Sequence, residues 1–319
     1  MPSLTQLEYI LAVHRTGHFG RAAEVCGVAQ PTLSAQIQKA ETELGLVFFD
    51  RSKKPIEVTP RAAPLIARAE EVVSAHERFL WVAQGRAHEI AGAFALGVIP
   101  TLAPYVIPWF LASFSRDFPS VELKLFERPT DEIVEDLGQQ RLDAAVLATP
   151  LGERNIQEIP LFYDPFYLYA HPDEALLALD EVDPSQLDGH KIWLLEDGHC
   201  VRAQVINFCG ARGVHSTLPN VDFAAGGFET LRHLIDATGG YTLFPETYVR
   251  TLSRSVARSQ VRPFATTTPT REVSLVHLQS SWKTDILEAL AAAIKASLPR
   301  SLRMVGHDGE ILSIRPPLL

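Results

Sequence analysis

The sequence predicts an α/β chain behind a small helical head, and three observations predict it. Over residues 4–45, apolar side chains recur at the three- and four-residue steps of helices. A helical pattern then runs from Pro60 without a glycine until Gly85. After Gly92, short apolar stretches of strand length alternate with helical ones, as in strand–helix units packed on a sheet. The division that follows is a head over 1–59, a linker helix over 60–90 and an α/β region over 91–319.

In the head, Leu4, Leu7, Ile10 and Leu11 line one side of a first helix, and Gly17 and Gly27 interrupt the pattern. Residues 56–59 suit a short extended segment. In the linker, Leu65, Ala69, Val72, His76, Phe79 and Ala83 alternate in steps of four and three, the seam of a coiled coil. An amphipathic helix lying on its own domain fits the same spacing. Beyond Gly92 the pattern predicts strands at 94–98, 121–126, 144–148, 166–170, 192–195, 241–244 and 273–278, with helices at 102–116, 131–138, 200–209, 228–237 and 283–297. Such alternation implies mostly parallel sheets with right-handed crossovers. About 220 residues are generous for one such sheet, so two similar subdomains flanking a ligand cleft are expected.

At 319 residues and 46% hydrophobic content, the chain can bury two or three cores at roughly 100–200 residues each. The longest apolar run, 103–112, holds two prolines and is too short for a bilayer, which needs about 20 residues. The N-terminus lacks a basic stretch followed by an apolar core, so a cytoplasmic protein without membrane contact is expected. Three cysteines, Cys26, Cys200 and Cys209, are too few for a disulfide framework and point instead to catalytic, regulatory or metal chemistry. The net charge of −9 opposes a polyanionic partner, but it is uneven: through His88 ten Lys and Arg face nine Asp and Glu, net +1, leaving nineteen against twenty-nine, net −10, for the rest. The head is the one region that would not broadly repel nucleic acid.

The first informative motif runs from Arg21 to Ile37. Two helices crossing at a tight turn need small residues at the crossing and a glycine at the reversal; Ala22, Ala23 and Gly27 meet that need, with Val28, Leu33 and Ile37 facing inward. Pro31 stands near the start of the second helix, where its missing N–H costs nothing. Gln30, Thr32, Ser34, Gln36 and Gln38 are left as polar groups able to reach base edges and phosphates. An ordinary helical hairpin fits the spacing as well. The run AAEVCGVAQPTLSAQIQKAETELG, with Phe48-Phe49-Asp50-Arg51 after it, resembles the winged helix-turn-helix head of LysR-type transcriptional regulators. The resemblance extends over the whole chain and implies a linker helix that pairs in homodimers and homotetramers, then a two-subdomain effector domain similar to periplasmic binding proteins. It places Gln30, Pro31, Thr32, Ser34 and Gln38 on or near double-stranded promoter DNA and Arg51, Lys53 and Lys54 in the wing. Two positions depart from the family: Ala29 replaces a common serine, removing a helix cap or phosphate contact of about 1 kcal/mol, and Cys26 replaces a common leucine.

The second motif runs from Leu194 to Cys209. Asp197-Gly198 ends a strand, and Val201, Val205 and Phe208 form one face of a helix. Cys200 then lies at a helix N-terminus with His199 beside it and Arg202 nearby, features that favour the thiolate. A helix rising about 1.5 Å per residue sets the α-carbons of Cys200 and Cys209 roughly 13 Å apart, whereas a disulfide needs about 7 Å or less. The two sulfurs can join only if the helix unwinds, closing a loop of about ten residues with a constraint on the order of 3 kcal/mol. On spacing alone, two unrelated buried thiols fit equally.

The string EDGHC, Arg202 and the second cysteine resemble the redox motif of the hydrogen-peroxide-sensing branch of the LysR family. That resemblance implies Cys200 as the peroxidatic residue and Cys209 as the resolving one, with no metal and no cofactor. Gly97-Val-Ile-Pro-Thr101 resembles the first effector-site loop, in which Thr101 bonds peroxide or water; Thr130 matches a second pocket threonine and Arg271 a basic residue at the pocket rim. Helix capping is the structural alternative for both threonines, as a surface charge is for Arg271 and a packed ring for His199. The implied regulator controls antioxidant genes, contacts RNA polymerase and is reset by a glutaredoxin- or thioredoxin-type reductant; it signals stoichiometrically and is not an enzyme. Three other readings stay open: a LysR-type regulator of a small organic effector with incidental cysteines, a thiol peroxidase or hydrolase, and a metal sensor using Cys200, Cys209 and His215. The stretch 300–319 carries apolar Ile311, Leu312 and Ile314 without an evident role.

Overall fold

The computed structural model describes residues 1–83, 90–209, 225–266, 268–281, 283–303 and 309–314, in two compact units, Met1–Ile90 and Ala91–Leu319. In the first, α1 (Leu4–Thr16) opens with a capping box between Ser3 and Gln6 and closes at Gly17, whose φ of 61° is left-handed. Next come α2 (Phe19–Val25), capped by the His18 ring, and α3 (Gln30–Leu44), with Pro31 in its first turn. Ala29 stands at the N-cap of α3 and makes no side-chain cap bond there. Ile10, Val13, Ala22, Leu33 and Ile37 form the core of the three helices, and Cys26 is half-buried at its edge. β1 (Phe49–Asp50) pairs antiparallel with β2 (Glu57–Val58) as a two-stranded wing; the sequence pattern showed only the second strand.

The linker helix α4 (Ala63–Ala83) divides its seam between two environments. Leu65 and Ala69 pack on the head core, while Val72 and Phe79 are exposed, as is Leu80 beside them. The Ala83 side chain and residues 84–89 lie outside the described residues.

The second unit begins with the expected alternation: β3 (Gly92–Val98), α5 (Ala103–Asp117), β4 (Val121–Glu127), α6 (Thr130–Gly138) and β5 (Ala144–Thr149). β3 runs parallel to both β4 and β5. The elements that follow are β6 (Ile156–Ala170), α7 (Cys200–Cys209), α8 (Phe228–Thr238), β7 (Tyr241–Pro245), α9 (Glu246–Val249), α10 (Arg254–Gln260), β8 (Val261–Arg262), β9 (Pro269–Leu278), α11 (Thr284–Ser297), α12 (Arg300–Arg303) and β10 (Glu310–Ile311). Among the described residues the strand order is β4-β3-β5-β9-β6-β7, with β10 beside β9 and β8 beside β6.

Two expectations are corrected here. The sheet is not mostly parallel, because β9 is antiparallel to both β5 and β6, and β6 to both β7 and β8. The cause is the joining of the two halves: residues 156–165 of β6 pair with β9, and 166–170 go on to pair with β7. One long strand thus belongs to both halves, and Pro160 and Pro165 within it hide its first part from a pattern search. Residues 192–195 form no strand; they make only isolated bridges, Ile192 to Tyr241 and Leu195 to Ala225. No described helix is long and apolar enough to cross a membrane.

Ile37 is fully buried where α3 meets the rest of the head. Ile37→Ala should cost about 2–5 kcal/mol. Hydrogen exchange on the full chain should show protection lost over residues 4–44 and retained in β5; uniform loss through both units would contradict a locally organised head.

Candidate functional site

On the head, Gln30, Pro31, Thr32 and Gln38 are exposed along α3, Ser34 is half-buried, and Arg51, Lys53 and Lys54 are exposed in the wing. Part of this polar surface is engaged within the protein. Arg51 donates to the Ser34 hydroxyl at 3.3 Å, pairs with Glu41 at 3.4 Å and lies over the Phe19 ring. Lys53 pairs with Glu57 at 3.2 Å, and Gln36 accepts from the Gln6 amide at 3.0 Å. Glu41, which the sequence pattern did not single out, also accepts from the Phe48 N–H at 2.8 Å and so ties the wing to α3.

In the second unit, Gly198 turns the chain at a φ of +94° immediately before α7. Helix α7 runs from Cys200 to Cys209, both buried free thiols. The helical rise over that span puts their α-carbons roughly 13 Å apart.

Around Cys200 the structure gathers three kinds of stabilising group. The Thr130 hydroxyl and the backbone N–H groups at the start of α7 favour the thiolate form of the sulfur, as does the Arg271 charge. Burial still dominates and pushes the thiol above its ordinary value, with these groups pulling it back. Arg202, expected to favour the thiolate, instead pairs with Asp197 at 2.7 Å and donates to the Leu195 carbonyl. The largely buried His199 ring faces the Glu196 carboxylate at 3.6 Å.

Arg271, expected at a pocket rim, is instead fully buried. It pairs with equally buried Asp164 at 2.8 Å, and both side chains are 0% exposed. Buried Thr101 is joined to it, since Arg271 Nη1 donates to Thr101 Oγ1 and Nη2 to the Thr101 carbonyl, each at 3.3 Å. Neither threonine is a helix cap: Leu102 and Pro129 occupy the caps of α5 and α6.

At the other end of α7, burial pushes the Cys209 thiol up to about 12, with the Tyr241 hydroxyl acting against it. Phe208 packs edge-on against Phe264 at 4.9 Å. The C-terminal segment, without a role in the sequence pattern, ties down the middle of the helix. Gln204 Nε2 donates to the Leu312 carbonyl at 3.2 Å, Asn207 Nδ2 donates to that of Ser313 at 2.9 Å, and β10 pairs with β9 at Pro269 and Thr270. His215 lies outside the described residues, and the described ones contain no group of three or more metal-ligating side chains.

Compared with known proteins, residues 4–63 match the family described as bacterial regulatory helix-turn-helix protein, lysR family, and residues 87–299 match the LysR substrate binding domain. The chain is 32% identical over 313 residues to the DNA-binding transcriptional dual regulator OxyR of Escherichia coli, covering 97% of this chain and 98% of that one. It is 31% identical over 293 residues to the hydrogen peroxide-inducible genes activator of Haemophilus influenzae, covering 92% and 96%. Among solved structures, a full-length OxyR variant from Pseudomonas aeruginosa superposes with a TM-score of 0.75 at 32% identity, over 92% of this chain and 98% of that one. A peroxide-bound OxyR variant from Corynebacterium glutamicum gives 0.60 at 27%, over 93% and 94%.

Burial of both α7 thiols has a pH consequence. With Cys200 raised and Cys209 raised to about 12, the folded state keeps protons that unfolded thiols release near pH 9. Stability should therefore fall as pH rises from 9 towards 12. Denaturant midpoints measured across this range should slope downward, less steeply in Cys209→Ser. At pH 8, iodoacetamide should modify half-buried Cys26 before Cys209, a sequence that mass spectrometry reads directly.

Proposed function

The chain belongs to the LysR family of bacterial transcriptional regulators, and on that premise we propose that it senses hydrogen peroxide through a reversible Cys200–Cys209 thiol–disulfide switch and controls antioxidant genes. The observation that carries the reading is α7 itself, a helix bounded by two buried thiols with the polar groups of a reactive centre gathered around only one of them. The similarity to hydrogen peroxide-inducible activators and OxyR proteins over more than nine-tenths of the chain supports it.

In the first step the Cys200 thiolate attacks one peroxide oxygen. The S–O bond forms as the O–O bond breaks, leaving a sulfenic acid and hydroxide, which takes a proton to become water. Cys209 supplies the second thiol: its sulfur displaces the sulfenic hydroxyl as another water, so two thiols and one peroxide give one disulfide and two waters. Thr130 and the N–H groups at the start of α7 hold negative charge on Cys200, while Thr101 donates to the departing oxygen. His199, held against Glu196, handles the proton. Each event is stoichiometric, a signal rather than a turnover.

The bond forms only after α7 gives up its helical span. That rearrangement changes how second units pair between copies, which respaces the DNA-binding heads and alters contact with RNA polymerase. Exposed Val72, Phe79 and Leu80 on α4 give the linker an apolar stripe for a second copy. A dimer so formed presents two α3 helices to major grooves about 34 Å apart, or a multiple of that; pairs of dimers make the tetramer. On α3 and the wing, Gln30, Pro31, Thr32, Ser34, Gln38, Arg51, Lys53 and Lys54 meet bases and phosphates. Cytoplasmic glutaredoxin- or thioredoxin-type proteins reduce the bond and reset the switch.

Purified reduced protein treated with stoichiometric peroxide should lose two hydrogens between Cys200 and Cys209 and shift its promoter footprint in the same sample. Cys209→Ser should accumulate a trappable sulfenic acid at Cys200 without the shift, and Cys200→Ser should show neither. A footprint shift that survives both substitutions would point instead to a small organic effector.

A further inference from the structure

We propose that Asp164 is a positioning residue for the peroxide reaction: its buried carboxylate fixes the Arg271 guanidinium so that the remaining edge orients the Thr101 hydroxyl as a hydrogen-bond donor to the departing peroxide oxygen. The proposal rests on the peroxide-sensing reading above.

Asp164 and Arg271 stand directly opposite each other on β6 and β9, the two strands shared by both halves of the unit. Both side chains are 0% exposed, so neither charge has water to fall back on and each depends on the other. The carboxylate is fully subscribed. Oδ2 accepts from Arg271 Nε at 3.0 Å and Nη2 at 2.8 Å and from the Thr247 hydroxyl at 2.8 Å, while Oδ1 accepts from the Thr247 N–H at 3.0 Å. Arg271 is held as tightly. Besides Asp164, Nη2 reaches Thr247 Oγ1 at 3.1 Å and the Thr101 carbonyl at 3.3 Å, and the Phe166 ring lies 5.9 Å from the guanidinium carbon. One edge is left, and its Nη1 donates to Thr101 Oγ1 at 3.3 Å.

That last bond decides the direction of the hydroxyl. An oxygen that accepts from a guanidinium must turn its own proton elsewhere, and among the described residues no acceptor takes it. Thr101 is thereby prepared to donate to the oxygen that leaves peroxide as hydroxide. Arg271 is among the charges felt by Cys200, and Asp164 is the carboxylate that holds it. Its influence passes through the guanidinium to the threonine.

Two reactions of Cys200 separate positioning from packing. Peroxide expels hydroxide, which needs a donor; iodoacetamide expels iodide, which does not. In full-length protein with Cys26→Ser, both rates are measured across pH so that they can be compared at equal thiolate fraction. Asp164→Asn and Thr101→Val should each slow the peroxide reaction by about tenfold or more, leave alkylation within about twofold, and together do no worse than the slower single variant. Equal slowing of both reactions, or additive losses in the double variant, overturns the proposal. If Asp164→Asn does not fold, Thr247→Val keeps both charges and replaces it in the same cycle: selective loss toward peroxide supports the proposal, and an unchanged peroxide-to-alkylation ratio overturns it. A parent protein that forms no Cys200–Cys209 disulfide with peroxide overturns the sensing reading and this one with it. A parent that does, beside an Asp164→Asn variant with an unchanged ratio, overturns this one alone.

Discussion

The rise of an α-helix is the constraint on which the second unit turns. Helix α7 begins and ends on a cysteine, and as long as its backbone bonds hold, the two sulfurs stay beyond bonding reach. Everything around α7 bears on whether that helix persists. Buried Val201 and Val205 seat it on the unit, Tyr241 acts on Cys209, and the C-terminal segment bonds Gln204 and Asn207 from the other side. The same segment pairs with β9 one residue before Arg271. The helix that must move and the charge that serves its first thiol are therefore linked through one strand.

The head solves a different problem, contact with a polyanion in a chain of net charge −9. Its answer is local: the exposed wing cations stand next to the exposed polar face of α3, and the acidic excess lies beyond residue 88. Glu41 shows the balance required. It spends part of the Arg51 charge, yet by bonding both Arg51 and the Phe48 N–H it fixes the wing relative to the recognition helix. A fixed wing reads register; free cations would only add affinity.

How far the sequence was legible follows from the distance over which each feature is encoded. The helix-turn-helix is local, so small residues at Ala22 and Ala23, a glycine turn and Pro31 in the first turn placed its helices closely. The ends of α7 were legible for the same reason. What escaped depends on partners far along the chain. The resemblance put Arg271 at a pocket rim and its residue type suits a surface charge; Asp164, the residue that makes its burial possible, is 107 positions away. The first part of β6 escaped because two prolines break its alternation, and its pairing with β9 instead of a neighbouring strand reverses the expected parallel order. Adjacency also misled: Arg202 is two positions from Cys200 but turns to Asp197, and the cation that serves the sulfur comes from β9.

A buried thiol with a raised proton affinity is a poor general nucleophile, and for a sensor that is useful. Burial of Cys200 holds back its ionisation, while Thr130, backbone N–H groups at the start of α7 and Arg271 stabilise the thiolate once it forms. The energy that holds the thiols apart then works in the opposite direction once they are joined. Any interaction of α7 lost on oxidation raises the disulfide's reduction potential, at about 30 mV for each 1.4 kcal/mol. The two bonds from Gln204 and Asn207 to the C-terminal segment, at about 1 kcal/mol each, correspond to roughly 40 mV on that scale. A helix that resists oxidation is thus also what makes the oxidised form readily reducible, so one local structure sets both the threshold of the switch and its reversibility.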